Sequence, residues 1–197
     1  MAMTKRTVTK YGRRRYARRY RRYRSLSNQY FRTKIEGVYT IAFPSNTGDP
    51  VFAEDNSKTC SFWNIFGGSQ YYGSLTAMFG YYKITGVAME ITPGPKNFEG
   101  TSTVGAKTLV GIHFGTNSPM NYHQLVADNN SVLLGVLTKS RKYVSTMGAF
   151  GWLPTSSTET PDVGAFCVAS SITGTLTNQP TWTCKFSVYM MFKKSMI

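Results

Sequence analysis

The residues best placed to do chemistry stand in the first 24 positions, and the chemistry they offer is binding. Lys5, Arg6, Lys10, Arg13, Arg14, Arg15, Arg18, Arg19, Arg21, Arg22 and Arg24 crowd this stretch, interleaved with Tyr11, Tyr16, Tyr20 and Tyr23. No carboxylate occurs before Glu36. With Arg32 and Lys34, residues 1–34 hold 13 of the 23 Lys and Arg, and the other 163 residues carry 10 basic and 9 acidic side chains. The formal charge of +14 therefore splits into +13 on the leading arm and +1 on the body. Such a segment buries too little apolar surface to offset its ordering entropy, and its charges repel one another. It is expected to be disordered until it meets a polyanion. Nucleic acid fits, because each phosphate neutralised releases condensed counterions.

Ten of the thirteen cations are Arg. The planar guanidinium forks onto phosphate and stacks on bases, which suits nucleic acid better than a lipid headgroup layer. The tyrosines could stack on unpaired bases of any identity, and Tyr16, Tyr20 and Tyr23 would share one side of a helix formed on binding. Val8, Ala17 and Leu26 make no aliphatic stripe, which argues against a membrane-active helix. The plain alternative is a solvated tail or a nuclear-localisation signal, a role that would coexist with packaging.

Catalytic and metal chemistry finds little support. The two histidines, His113 and His123, and three cysteines, Cys60, Cys167 and Cys184, lack the spacing of a metal site, and no cofactor is expected. His113 falls on the polar side of its strand, and His123 in a loop. No phosphate-binding glycine loop, nucleophile elbow or dinucleotide fingerprint occurs. Glu90 is the lone acid in the strong strands, so paired carboxylates for acid–base work are missing. An enzyme is not expected. With no secretory leader and an odd cysteine count, the thiols read as reduced and half-buried. No apolar run approaches the roughly 20 residues of a membrane-spanning helix.

The body, residues 34–197 after an arm of 1–33, has the size of one domain. Its short runs of Val, Ile, Thr and aromatics between Gly- and Pro-rich turns predict an all-β fold. Residues 34–43 alternate with Tyr39, Ile41 and Phe43 on one face. Ser74 could cap a short helical turn to Gly80, with Leu75, Met78 and Phe79 on one side. Residues 81–92 form a strand whose phase flips at Gly86, the mark of a β-bulge. Residues 107–115 place Val110, Ile112 and Phe114 on one face, and 132–137 are a short apolar run. The more polar 138–146 suit an edge strand, and 163–172 another strand between loops. Trp182, Cys184, Phe186, Val188, Met190 and Phe192 alternate without a break, so a long strand over a core closes the chain. For Trp63, Trp152 and Trp182, core or interface packing is the default. Seven to nine strands with loops of this length admit an immunoglobulin-like sandwich, a barrel or a jelly roll, and the long loops favour the last.

Three stretches together resemble the capsid proteins of circovirus-like viruses with circular single-stranded DNA: RRRYARRYRRYR near the start, MFGYYKITGVAMEITP at 78–93 and WTCKFSVYMMFKK at 182–194. The resemblance implies an eight-stranded antiparallel jelly roll of the viral capsid type. It also implies self-assembly of about 60 copies into a T=1 icosahedral shell, with the arms inside on single-stranded DNA. Sixty arms would bring roughly 780 positive charges to the phosphates. A virion location, assembly in the host nucleus, nuclear-import contacts and a cell receptor follow from the same resemblance. The loops at 44–58, 93–103, 115–130 and 154–162 would supply inter-subunit contacts and the outer surface. Two alternatives share the basic arm: the coat of a small satellite RNA virus, and a non-viral nucleic-acid-binding β protein.

Overall fold

The closing strand, β10 (Trp182–Lys193), is the spine of the molecule. Its six alternating apolar side chains are each at most 1% exposed, so one face of the strand seals a core while the other carries Lys185 and Lys193 outward. It pairs antiparallel along its whole length with β1 (Tyr30–Ala42) on one side and β4 (Tyr81–Pro93) on the other. The computed structural model describes residues 30–44, 49–94, 108–135, 137–146, 150–156, 161–172 and 180–194.

Two sheets face each other. The larger runs β2 (Val51–Phe52), β1, β10, β4, β7 (Ser140–Ser145), with β8 (Leu153–Pro154) also pairing with β4. The smaller runs β3 (Thr59–Ser61), β9 (Gly164–Ser170), β5 (Thr108–Phe114), β6 (Val132–Leu133). Setting aside the two-residue β2 and β8, eight strands remain. They pair first with last, second with seventh, third with sixth and fourth with fifth: β1 with β10, β3 with β9, β4 with β7, β5 with β6. That nesting is a single hairpin rolled over itself, the antiparallel jelly roll expected from the sequence.

Aromatic side chains fill the space between the sheets. Phe166 of β9 lies flat on Phe186 of β10 with centroids 3.9 Å apart, and Tyr39 and Phe52 pack around Phe186. Trp182 is buried, and its indole N–H donates to the Gly135 carbonyl at 2.9 Å, so its one polar atom is satisfied. The bulge expected near Gly86 is present. Tyr189 pairs with Gly86 but Met190 with Ile84, leaving Thr85 as the extra residue, its hydroxyl donating to the Tyr189 carbonyl.

The small sheet is covered on both sides. Helix α3 (Tyr122–Ala127), capped by a reciprocal Asn121–Gln124 box, drops Leu125 onto Leu109, Ala165, Cys167 and Ala169. A Cβ at Gly111 would stand 2.4 Å from Leu125 Cδ2, so a bare backbone there is what lets the helix seat. Gly164 opens β9 at φ +125°, where a Cβ would meet the His113 carbonyl at 2.4 Å. We expect Gly164→Ala to cost at least about 2 kcal/mol in urea denaturation, from left-side backbone strain and the clash together.

Several local expectations are corrected. Strand β1 begins at Tyr30, not near residue 34, because Phe31 turns inward onto Phe79 and the ladder with β10 continues to Lys193. The inward Thr33 between Phe31 and Ile35 hides that alternation in the sequence. The short turn at Ser74 is a longer helix. After α1 (Phe62–Phe66), α2 spans Gln70–Met78 with Ser69 as its cap, while the Ser74 hydroxyl donates back to the Gln70 carbonyl. Met78 is 58% exposed and does not share the buried face of Leu75. Among the described residues of the run at 132–137, the strand is Val132–Leu133, and Leu137 is 64% exposed. His123 sits in α3 rather than a loop. The three thiols are free and fully buried, not half-buried.

Candidate functional site

The residues expected to bind nucleic acid, Lys5 to Arg24 with Tyr11, Tyr16, Tyr20 and Tyr23, lie outside the described residues. What the structure provides is the place where that segment joins the body, at Tyr30, and the surface around the joint. Tyr30 is the first residue of β1, on the side of the large sheet that faces away from the core.

That outward side is set by strand alternation. With Ile35 and Ile41 turned inward, β1 shows Tyr30, Arg32, Lys34, Glu36 and Val38. The inward Phe186 and Val188 leave β10 showing Lys185, Ser187, Tyr189, Met191 and Lys193. Strand β4 contributes Tyr81, Lys83, Ala88 and Glu90, and β7 contributes Arg141 and Tyr143. Together with Lys139, whose amine reaches Glu90, seven cations meet two carboxylates, a net +5. Elsewhere among the described residues Lys58, Lys142 and Lys194 face Asp49, Glu54, Asp55, Asp128 and Asp162, a net −2. The near-neutral body is thus divided into one basic face and a mildly acidic remainder.

The two carboxylates sit toward one end of this face. Glu36 accepts from Lys34 Nζ at 2.6 Å, Lys185 Nζ at 2.9 Å and the Ser187 hydroxyl at 3.1 Å. The Lys34 and Lys185 ammonium groups hold its carboxyl down at about 2, against a smaller opposing effect of burial. The same contact raises the Lys34 amine. Glu90 is held by Lys139 Nζ at 2.5 Å, with Arg141 at 4.0 Å, and its pKa is lowered chiefly by Lys139. Because the folded pKa of Glu36 lies below its ordinary 4.5, its stabilisation is present above that value and is lost as pH falls from about 4.5 toward 2. We expect Glu36→Gln to cost about 1 kcal/mol at pH 7 after solvent screening, and progressively less as pH falls through about 4.5 toward 2. Urea denaturation across this pH range checks this.

At the other end the cations stand apart from acids. Among the described residues Arg32, Lys83 and Lys193 make no ion pair. Cross-strand register sets Tyr30, Lys193 and Tyr81 in one row and Arg32, Met191 and Lys83 in the next. Trp152, just before β8, lies over this block. It stacks on Tyr30 with centroids 5.6 Å apart and planes 17° apart. Lys193 Nζ stands 4.8 Å from the Trp152 ring and 4.9 Å from Tyr81, and Lys83 Nζ 5.8 Å from Trp152. Trp152 is therefore half-buried on the outer side of the sheet, unlike the fully buried Trp182. Only Arg32 and Lys34 of this face belong to the leading charge run. Lys83, Trp152 and Lys193 are scattered over more than a hundred positions, and the one clue in the sequence was that the polar partners of the apolar alternation in two strands are basic.

No three of His, Cys, Asp and Glu come together among the described residues. Burial pushes the Cys60 thiol up to about 12 and Cys167 up to about 11, and raises Cys184 further, so none is a thiolate at neutral pH. His113 faces the Ser118 carbonyl at 3.2 Å. Among the described residues no helix is long and apolar enough to cross a membrane. Of the loops expected to meet neighbouring subunits, 115–130 contains α3 and 44–58 contains β2. Residues 95–103 and 157–160 lie outside the described residues.

No protein-family model matches the chain, and no curated protein matches it in sequence. Solved structures do match in fold. The capsid structure of mud crab tombus-like virus has a TM-score of 0.55 at 11% identity, over 85% of this chain and 90% of that one. The decameric BFDV capsid protein has a TM-score of 0.50 at 11% identity, over 84% of this chain and all of that one. A T=1 subviral particle of Penaeus vannamei nodavirus capsid protein, lacking residues 1–37 and 251–368, has a TM-score of 0.52 at 11% identity, over 83% and 97%. At such identities the likeness is one of fold: the chain has the jelly roll found in viral capsid proteins.

Proposed function

We propose that this chain is a viral capsid protein that assembles into a small icosahedral shell and packages single-stranded nucleic acid through residues 1–33. The single observation that carries the reading is the complete jelly roll, matched over most of its length by capsid subunits, directly downstream of a +11 segment. Capsid folds recur with many genome types, so the fold by itself does not choose the circular-DNA kind. The Arg- and Tyr-rich start and the 78–93 and 182–194 stretches favour it, and the circovirus BFDV capsid protein is among the fold neighbours.

Assembly in a T=1 shell of about 60 copies agrees with the geometry. The sheet edges are short or charged: β2, β3 and β6 have two or three residues, and β7 carries Arg141 and Lys142. Subunits with such edges would join through loops and side chains rather than by extending a sheet. Packaging would be sequence-tolerant, set by charge count and by stacking on tyrosines, because phosphates and base faces are common to all sequences. The same Arg-rich segment would serve as a nuclear-localisation signal during assembly in the host nucleus.

Electron microscopy of the purified full-length protein, with nuclease typing of what it holds, tests the proposal. Closed shells whose contents are degraded by DNase after disruption are the expected result. Contents sensitive to RNase alone would support the satellite-RNA coat. A 22 kDa monomer that binds nucleic acid without forming shells would support the non-viral reading.

A further inference from the structure

We infer that the Tyr30 end of the large sheet is a second nucleic-acid site, a folded platform on which the strand captured by the arm is laid down base by base. The inference rests on the packaging reading above and adds the place where nucleotides meet the folded domain.

Glu36 and Glu90 quench four of the seven cations on this face, but their reach ends before the first two rows. Arg32, Lys83 and Lys193 are left without an acid, Lys83 and Lys193 half-buried against the Trp152 ring and Arg32 exposed in the same row as Lys83. A cation over an exposed ring is held weakly compared with one on a phosphate. Lys83 and Lys193 are therefore free to exchange a ring for a phosphate oxygen, and exposed Arg32 to bind one directly. When Lys193 swings away, the face of Trp152 that it covers becomes available to a flat, electron-poor group of the same footprint, which a nucleobase supplies. Tyr30 at 38% and Tyr81 at 36% exposure offer further ring surface beside it.

Charge complementarity and chain continuity select the occupant. A second copy of this chain would bring another +5 face, and two such faces repel. A polyanion with unpaired bases meets both halves of the site, cations for its backbone and rings for its bases. The arm's eleven Lys and Arg before Tyr30 lead directly into the block, so a strand neutralised by the arm is already delivered to the platform. Duplex nucleic acid would find the cations but not the stacking, because its bases face each other.

The test uses the full-length protein and a fluorescence-silent oligo(dT). Trp182 is buried, whereas Trp63 is half-buried against Phe66 and Tyr72, so Trp63→Phe serves as the control that assigns quenching to Trp152. Titration is expected to quench the emission, Trp152→Phe to remove most of that quenching, and photocrosslinking to mark Tyr30, Tyr81 or Trp152 as well as the arm. Replacing Arg32, Lys83 and Lys193 together by Gln should lower the salt slope of log K by about 2 and weaken low-salt binding about tenfold, while the arm is intact. Crosslinks confined to residues 1–24, with an unchanged slope in the triple variant, would overturn the platform and leave arm-mediated packaging standing. Crosslinks from this face to a second protein chain in assembled shells would overturn it in favour of a subunit interface. Failure of the full chain to bind oligo(dT) at all would overturn the packaging reading itself.

Discussion

Removing residues 2–29 is expected to leave a folded protein that still forms shells, with packaged nucleic acid reduced about tenfold or more. The boundary matters. The segment carries eleven Lys and Arg and no acid, so at about 0.7 units of log–log salt slope per single-strand phosphate, full engagement would contribute a slope near 8. None of that depends on contacts within the sheets. A cut at residue 33, by contrast, would also strip Tyr30, Phe31, Arg32 and Thr33 from the ladder with β10 and expose Phe79 and Phe192, which Phe31 helps to cover. The shorter deletion should therefore melt close to the full chain and the longer one several degrees lower. Absorbance ratios of purified shells report the packaged nucleic acid, and thermal denaturation reports the fold. Equal packaging by the full chain and the 2–29 deletion would remove the arm from the mechanism.

The fold was legible where one face of a strand is buried and the other wet. In β10 and β4 the period of two survives intact, down to the bulge at Gly86, because among the described residues the outer face of the large sheet is covered only at its Tyr30 end, by Trp152. The small sheet was harder for the opposite reason. Cys167 and Ala169 of β9 are buried under α3 while Phe166 and Val168 are buried in the main core, so burial on both faces erases the alternation that announces a strand. Helix α2 was misplaced because Ser69 and Ser74 are equally good caps in isolation, and only the packing of Tyr72 against Trp63, Phe66 and Tyr82 decides between them. The basic face escaped notice for a different cause. A net body charge of +1 describes a sum, whereas binding depends on where the charges stand, and that is fixed by the β1–β10–β4 register, in which residues 32, 83 and 193 become neighbours.

The stacked pair Phe166–Phe186 should be the most sensitive point in the core. Phe186 is fully buried on the central strand and touches Phe166 from the opposite sheet, Tyr39 from the neighbouring β1 and Phe52 from β2 beyond it. Phe186→Ala would leave a ring-sized void between two sheets whose spacing is fixed by ladders running their full length, so the walls cannot close around it. The expected cost is about 3 to 5 kcal/mol, a large part of what holds an ordinary domain together. Shell formation should fail with it, since the loops that would carry subunit contacts are anchored on these strands. Phe186→Leu keeps most of the volume and should cost less, about 1 to 2 kcal/mol, with shells retained. Because assembly itself stabilises the subunit, denaturation is best followed at concentrations where only unassembled protein is present. If Phe186→Ala unfolded within about 1 kcal/mol of the parent, the two sheets would not be locked through this ring pair, and the barrier to losing the sandwich would have to be sought in the β1–β10–β4 ladders alone.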